Sequence, residues 1–74
     1  MTVTVKLFAT LREGRGKVIP LEYDTMPDLR TITAELQIPE EDIAILLLNG
    51  QDARLGDVPK DSDVISIFPP VGGG

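Results

Sequence analysis

The feature that most limits how this chain folds is the absence of both cysteine and histidine from its 74 residues. Small domains often depend on disulfides or a bound metal, because a chain of this length buries only about 60% of its unfolded surface. Without a thiol or an imidazole, neither a disulfide nor a cysteine or histidine zinc site can form. A single hydrophobic core must therefore stabilise one small domain spanning residues 1–74.

The composition fits a globular domain and argues against several kinds of partner. Apolar residues make up 42% of the chain and charged residues 26%, with a net charge of −5 at pH 7. An acidic chain is repelled by phosphate backbones, so we expect no nucleic-acid partner. The longest apolar run, residues 43–48, is too short to span a bilayer, and nothing at the N-terminus has the pattern of a signal peptide. We expect a cytoplasmic protein with no membrane partner.

The first third of the chain has the pattern of a β-hairpin. Residues 2–8 alternate between two faces with a period of two, and residues 17–23 do the same. The segment Gly14-Arg15-Gly16 between them is a turn signal. Pro20 has no N–H to donate to a neighbouring strand, so the second strand is predicted to lie at a sheet edge.

One amphipathic helix is predicted after the hairpin. Thr25 is the expected cap, because Pro27 suits a first helical turn and Asp28 follows Thr25 at capping-box spacing. The helix is expected to end before Pro39. Its apolar stripe consists of Leu29, Ile32 and Leu36.

The remaining segments predict an α+β fold. Residues 43–48 precede the hairpin turn Asn49-Gly50, so they are predicted to form a strand, although the sequence does not decide which face is buried. A short return strand is expected within residues 51–55, and a last alternating strand over residues 63–68. One helix on one face of a mixed sheet would bury a single core, while the strand order stays open.

No group of side chains within the domain has the pattern of a catalytic or metal site. The densest polar group is Asp61-Ser62-Asp63, which we interpret as a turn leading into the last strand. The basic segment 12–17 contains glycines, but it lacks the strand and helix that flank a phosphate-binding loop. We therefore expect no bound metal and no catalytic residue.

The C-terminus is the segment that suggests chemistry. Pro69 and Pro70 favour an extended exit, and three terminal glycines cost too much conformational entropy to stabilise a fold. Residues 69–74 are predicted to form a flexible arm up to about 20 Å long that can enter a narrow channel. Once a partner adenylates its carboxylate with ATP, a sulfur nucleophile can leave a thiocarboxylate at Gly74. A disordered end without function is the other interpretation.

Both ends of the chain resemble MoaD-type proteins, the small subunit of molybdopterin synthase. The resemblance rests on Phe68-Pro69-Pro70-Val71 with its terminal glycines, on the Phe-Ala-x-x-Arg-Glu pattern within residues 5–13, and on the acidic turn 61–64. It implies a ubiquitin-like β-grasp fold with one main helix packed on one face of a mixed sheet. It also implies a sulfur carrier that is not itself an enzyme.

The resemblance also implies partners and site residues. The expected partners are an adenylyltransferase of the ubiquitin-activating type, which uses ATP, and the large subunit of molybdopterin synthase. Gly74 is the implied site of adenylation and of the thiocarboxylate. The tail inserted into the partner consists of Val71, Gly72, Gly73 and Gly74. A partner interface is implied at Phe68 and Arg12, and Phe8 is expected on the same surface; packing for Phe68 and a solvated turn for Arg12 are the alternatives.

Other functions remain open at this point. The apolar run 43–48 with Asn49-Gly50 also resembles ThiS, the carrier of the thiamine pathway, for which thiazole synthase would be the acceptor. A ubiquitin-like modifier would instead join Gly74 to lysines of target proteins. A plain interaction module with an inert tail is the third class.

Overall fold

The computed structural model describes residues 1–71, in which a helix and two short 3-10 turns are inserted between the strands of one mixed sheet. The strands are β1 (Thr2–Leu7), β2 (Val18–Glu22), β3 (Ile45–Leu48), β4 (Gln51–Asp52) and β5 (Asp63–Phe68). The helix α1 spans Leu29–Glu35, and the 3-10 turns span Ala9–Arg12 and Glu40–Asp42. Within the described residues, no helix is long and apolar enough to cross a membrane.

The sheet has the order β2-β1-β5-β3-β4. The first and last strands are neighbours at its centre: β1 and β5 pair in parallel, with Val3 opposite Asp63 and Leu7 opposite Ile67. The other three pairs are antiparallel. A central parallel pair needs a long crossover connection, and here the helix lies within that connection.

The core lies between the helix and one face of the sheet. The predicted alternation is confirmed, because Val5 and Leu7 of β1 and Ile65 and Ile67 of β5 are fully buried. The predicted helix stripe is also confirmed: Leu29 and Ile32 are fully buried, and Leu36 packs against the core while partly exposed. Among residues 1–71, the hydrophobic core consists of Val3, Val5, Leu7, Leu11, Leu29, Ile32, Ile38, Leu46, Ile65 and Ile67.

Pro20 lies where the sequence predicts, on an edge strand. The N–H of Tyr23 donates to the carbonyl oxygen of Met1 at 2.8 Å, and the amino terminus of Met1 donates to the carbonyl oxygen of Tyr23 at 2.9 Å. From this pair onward, hydrogen-bonded and non-hydrogen-bonded residue pairs alternate along β2. Pro20 and Thr4 form one of the non-hydrogen-bonded pairs, so no bond from Pro20 to β1 is required. Its missing N–H faces the free edge, where it also interrupts the row of donors open to another strand.

The predicted helix cap was wrong. Asp28, not Thr25, caps α1, with its carboxylate accepting a 2.9 Å hydrogen bond from N–H of Thr31. The reason is tertiary, because the N–H groups of Leu29 and Arg30 donate to carbonyl oxygens of the loop at Asp57 and Leu55, 2.9 and 2.8 Å away. Those contacts satisfy donors that a helix beginning at residue 29 leaves free.

Strand β3 is shorter than the predicted strand over residues 43–48. N–H of Ile43 closes the preceding 3-10 turn by donating to the carbonyl oxygen of Glu40, so it is not available to the sheet. The return strand is likewise reduced to Gln51–Asp52. Between them Asn49 and Gly50 have φ of 52° and 82°, which are the left-handed values of the predicted two-residue hairpin turn.

The turn before β5 is structural, as predicted for Asp61-Ser62-Asp63. A carboxylate oxygen of Asp61 accepts from N–H of Thr2 at 2.7 Å, which attaches the turn to the start of β1. Asp63 accepts from N–H of Lys60 at 2.7 Å and from the side-chain amide of Asn49 at 2.8 Å. Asn49 in turn accepts from N–H of Val64, so the turn joins β1, β3 and β5.

Acid should weaken this fold through Asp28 and Asp63. Side-chain hydrogen bonding with Thr31 lowers the pKa of Asp28, and the backbone hydrogen bond from Lys60 lowers the pKa of Asp63. A lowered pKa stabilises the fold above the unfolded value near pH 4, and this contribution is lost as the pH falls. In thermal unfolding between about pH 6 and about pH 3, the D28N/D63N double variant should lose less stability than wild type. The control D24N changes an exposed carboxylate outside these bonds, and an equally steep acid limb in the double variant would contradict the assignment.

Arg15 ties the hairpin turn to the end of the helix. Its guanidinium donates to the carbonyl oxygens of Leu36, Gln37 and Leu11 at 2.9, 2.8 and 3.2 Å. A cation is favourable at a helix C-terminus, where the last carbonyl groups lack partners within the helix.

We therefore expect R15A to lower the free energy of unfolding by about 2 kcal/mol, because three carbonyl groups lose a charged donor. Urea denaturation measures the change. The matched control is R54A, which removes the same charge from an exposed side chain and should change stability little. Equal effects of the two substitutions would show that Arg15 acts only through net charge.

Candidate functional site

The C-terminal tail begins at the end of the central strand β5. The carbonyl oxygen of Phe68 accepts a 2.8 Å hydrogen bond from N–H of Ala44, which holds the last residue of the strand in the sheet. Pro69 is then half-buried, Pro70 is exposed, and the Val71 side chain is 94% exposed. The predicted site at Gly72, Gly73 and Gly74 lies outside the described residues.

Two aromatic rings meet beside the start of the tail. Phe8 and Phe68 stack with ring centroids 4.1 Å apart and an interplanar angle of 10°. The parallel pairing of β1 and β5 causes this contact, because Leu7 lies opposite Ile67 and the next residues along both chains are the two phenylalanines. Both rings are half-buried, so the stack remains accessible at the surface.

Arg12 completes this group. Its Nε donates to the carbonyl oxygen of Leu7 at 2.8 Å, and its guanidinium carbon lies over the Phe8 ring, 5.4 Å from the centroid. Ala9 makes this return possible, since its left-handed φ of 53° turns the chain at the end of β1 into the 3-10 turn. The structure thus brings together all three residues that the sequence analysis associated with a partner interface, Phe8, Arg12 and Phe68.

The same surface includes two residues that the sequence analysis did not assign. Ile45 lies opposite Phe68 and Leu47 opposite Ser66, on the face away from the helix, whereas Leu46 faces the core. Ile45 is 48% exposed. No local signal in the sequence could have found them, because residues 43–48 are all apolar and the Asn49-Gly50 turn sets two polar residues, Gln51 and Asp52, opposite the end of β3. We call Phe8, Ile45, Leu47 and Phe68 the apolar patch.

The apolar patch suits contact with a protein better than binding of a small molecule. Two open depressions in the described surface lie elsewhere, one between Arg30 and Glu40 and one beside Arg15, and neither includes the two phenylalanines. In the part of the chain that the structure describes, no three acidic, cysteine or histidine side chains are grouped to hold a metal ion. An exposed apolar surface beside a projecting chain segment is typical of a site of protein contact.

Comparison with known families identifies the chain. A sequence model of the ThiS family matches residues 5–74, which include the aromatic pair and the terminal glycines. The chain belongs to the ThiS family. Among curated protein sequences, no match was found.

Solved structures of two ThiS-like groups are similar to this chain. A chain in the complex of subunits 1 and 2 of molybdopterin-converting factor from Helicobacter pylori matches with 30% identity and a TM-score of 0.67. The match covers 100% of this chain and 100% of that chain. Small archaeal modifier protein 1 from Methanosarcina acetivorans matches with 34% identity and a TM-score of 0.65, covering 99% of this chain and 96% of the other.

A third neighbour supports the fold alone. Small archaeal modifier protein 1 from Haloferax volcanii has 23% identity and a TM-score of 0.78, with full coverage of both chains. Together with the sheet order, these neighbours confirm the ubiquitin-like β-grasp fold. The family to which the chain belongs consists of small carrier proteins.

The stacked pair should couple Phe8 to Phe68 energetically. Leucine at either position keeps most of the apolar volume but removes the ring stack, so F8L and F68L should not be additive. We expect a coupling free energy of about 1 kcal/mol in a double-mutant cycle of urea unfolding. A cycle of F8L with V58A, an exposed residue of a separate loop, is the control and should be additive. Additivity within about 0.3 kcal/mol for F8L and F68L would contradict a stabilising stack.

Proposed function

We propose that this chain is a sulfur carrier whose cargo is a thiocarboxylate at Gly74. The observation that carries the proposal is the position of the tail: it leaves a strand anchored at Phe68 and becomes exposed at Pro70 and Val71. The terminal glycines of the sequence follow directly. Membership of the ThiS family supports the same chemistry.

The proposed reaction needs a partner enzyme. A carboxylate oxygen of Gly74 attacks the α-phosphorus of ATP, pyrophosphate leaves, and an acyl-adenylate forms. The terminal sulfur of a sulfurtransferase persulfide then attacks the acyl carbon and AMP leaves, which gives an acyl disulfide. A thiol next attacks the enzyme's sulfur of that S–S bond, so that the thiocarboxylate leaves and a disulfide remains on the sulfurtransferase. Glycine suits this role because its carbonyl carbon is unhindered, and the absence of cysteine means that no thiol of the chain competes for the activated acyl group.

The proposed acceptor is the large subunit of molybdopterin synthase. The support is the Helicobacter pylori relative, which is 30% identical over the whole chain and whose structure is a complex of subunits 1 and 2 of molybdopterin-converting factor. In our proposal the apolar patch contacts the large subunit while the tail enters its active site. The adenylyltransferase would use the same surface at an earlier step.

Two other acceptors have specific support. The matching family model is that of ThiS, which favours thiazole synthase as the acceptor. The small archaeal modifier proteins favour conjugation of Gly74 to lysines of other proteins. All three share the activated Gly74. In the two carriers a sulfur nucleophile attacks it and the sulfur then passes to different acceptors, whereas in a modifier a lysine amine attacks it.

Mass spectrometry of the intact chain tests the carrier proposal. After co-expression with candidate adenylyltransferases and a sulfurtransferase, we expect a mass shift that corresponds to one oxygen replaced by sulfur, localised to the last residue. Deletion of residues 72–74 should abolish the shift and leave thermal unfolding unchanged, because these residues follow the last strand; deletion of Gly74 alone would leave another terminal glycine. The G74A variant keeps a terminal carboxylate and is expected to react more slowly, since the added methyl group crowds the carbonyl. Sulfur on the chain that lacks residues 72–74 would contradict the proposal.

The acceptor can be decided by separate readouts. Purified thiocarboxylate chain should lose its sulfur to the molybdopterin synthase large subunit with its pterin precursor, and not to thiazole synthase. For conjugation, trypsin leaves the segment 61–74 on a target lysine, because Lys60 is the last basic residue. Proteins carrying that segment would favour a modifier, whereas sulfur transfer to thiazole synthase alone would assign the chain to the thiamine pathway.

A further inference from the structure

The apolar patch lies on the face of the sheet that is turned away from the helix, which we call the docking face. Lys6 is a charged residue at the otherwise uncharged centre of this face. It is exposed on β1, with Val18 opposite it on β2 and Ser66 opposite it on β5. Phe8 follows it by two residues, so Lys6 borders the apolar patch. Because β1 is the second strand of the sheet, Lys6 lies inside the face and away from the free edge.

The carboxylates on this face lie too far from Lys6 to pair with it. The strand registers place Lys6, Ser66, Leu47 and Asp52 in one row across β1, β5, β3 and β4. Asp52 is thus three strand spacings from Lys6, or about 14 Å, which exceeds the screening length of about 10 Å at moderate salt. The other carboxylate, Glu22, is at the far end of β2, opposite Thr2.

The ammonium group of Lys6 also has no partner within residues 1–71. No hydrogen bond or ion pair of the described residues involves its side chain, whereas the nearby Arg12 already donates its Nε to the carbonyl oxygen of Leu7. A partner that covers the apolar patch therefore removes water from an unpaired positive charge. That desolvation is costly unless the partner supplies an opposite charge.

The length of the tail limits which kind of partner can cover this face. From Phe68 to Gly74 the chain spans at most about 20 Å, so an enzyme that holds Gly74 in its active site has its surface close to Phe68 and the apolar patch. Such an enzyme meets an acidic chain of net charge −5 whose docking face presents a cation. A carboxylate at that one point would attract the carrier in a single orientation, while the acidic remainder of the chain disfavours others.

We infer that the enzyme that activates Gly74 recognises this chain through an aspartate or glutamate paired with Lys6 inside an apolar contact. This inference rests on the proposed function and adds to it a residue that determines partner specificity. While the enzyme holds Gly74 in its active site, Lys6 stays on the body of the carrier, so we expect it to act on binding and not on the chemical step.

Steady-state adenylation by the enzyme that activates the wild-type chain tests this pairing. K6Q should raise the KM for the chain by about tenfold or more, and K6E should raise it further, while kcat stays close to wild type. The effect of K6E should shrink as salt is raised. K6R keeps the charge and should retain most of the affinity.

The matched control is K60E, which makes the same charge change at an exposed lysine before the opposite end of β5. A KM for K6E equal to that of K60E, with wild type fully active, would overturn the pairing and leave the carrier function intact. A fall in kcat alone would also overturn it. If no adenylyltransferase acts on the wild-type chain, the proposed function fails and this inference fails with it.

Light scattering of the free chain tests whether this face binds a second copy of the chain. We expect a monomer for wild type and for K6E. A dimer that dissociates on K6E would assign the face to a second copy, since Lys6 of one copy could then pair with Asp52 of the other, and the inference would be wrong.

Discussion

The structure depends on the parallel pairing of β1 with β5 at the centre of the sheet. This pair joins residues about sixty positions apart in sequence and supplies most of the fully buried side chains, among them Val5, Leu7, Ile65 and Ile67. Because parallel strands point the same way, the C-terminal ends of β1 and β5 lie side by side. The stack of Phe8 on Phe68 and the start of the tail both lie at this end of the strands. The pairing that builds the core therefore also places the tail beside the apolar patch.

A stable body with a reactive end assigns partner recognition and chemistry to two different parts of the chain, whereas an enzyme combines these two tasks in one site. In our proposal the body selects the partner through the apolar patch and its charges, while the terminal glycine carries only the cargo. Sulfur carriers and protein modifiers can share such a design, since the difference lies in which nucleophile meets the activated end. This chain is similar both to the molybdopterin-converting factor complex and to a small archaeal modifier protein, which agrees with such a common design.

Much of the fold could be predicted from local patterns. Strand β5 has the predicted bounds because its alternation lies between a turn and two prolines, and the Pro20 edge prediction holds because a missing N–H has one tolerable place in a sheet. The helix cap could not be predicted, since the acceptors for the first helical N–H groups come from the distant loop 55–57. The stack of Phe8 on Phe68 depends on strand order in the same way. Before the topology was known, the resemblance placed Phe68 at a partner interface, and Phe8 was expected there only because a flexible tail needs an apolar surface beside it.

The central claim is that the end of this chain carries sulfur, and its most direct test is the mass of the C-terminal segment 61–74 from protein isolated out of its own cells. We expect a fraction of the chain to have one terminal oxygen replaced by sulfur, and this fraction to disappear when the activating enzyme is removed. A terminus that is always a plain carboxylate, in cells where the activating enzyme and a sulfur donor are both present, would contradict the account.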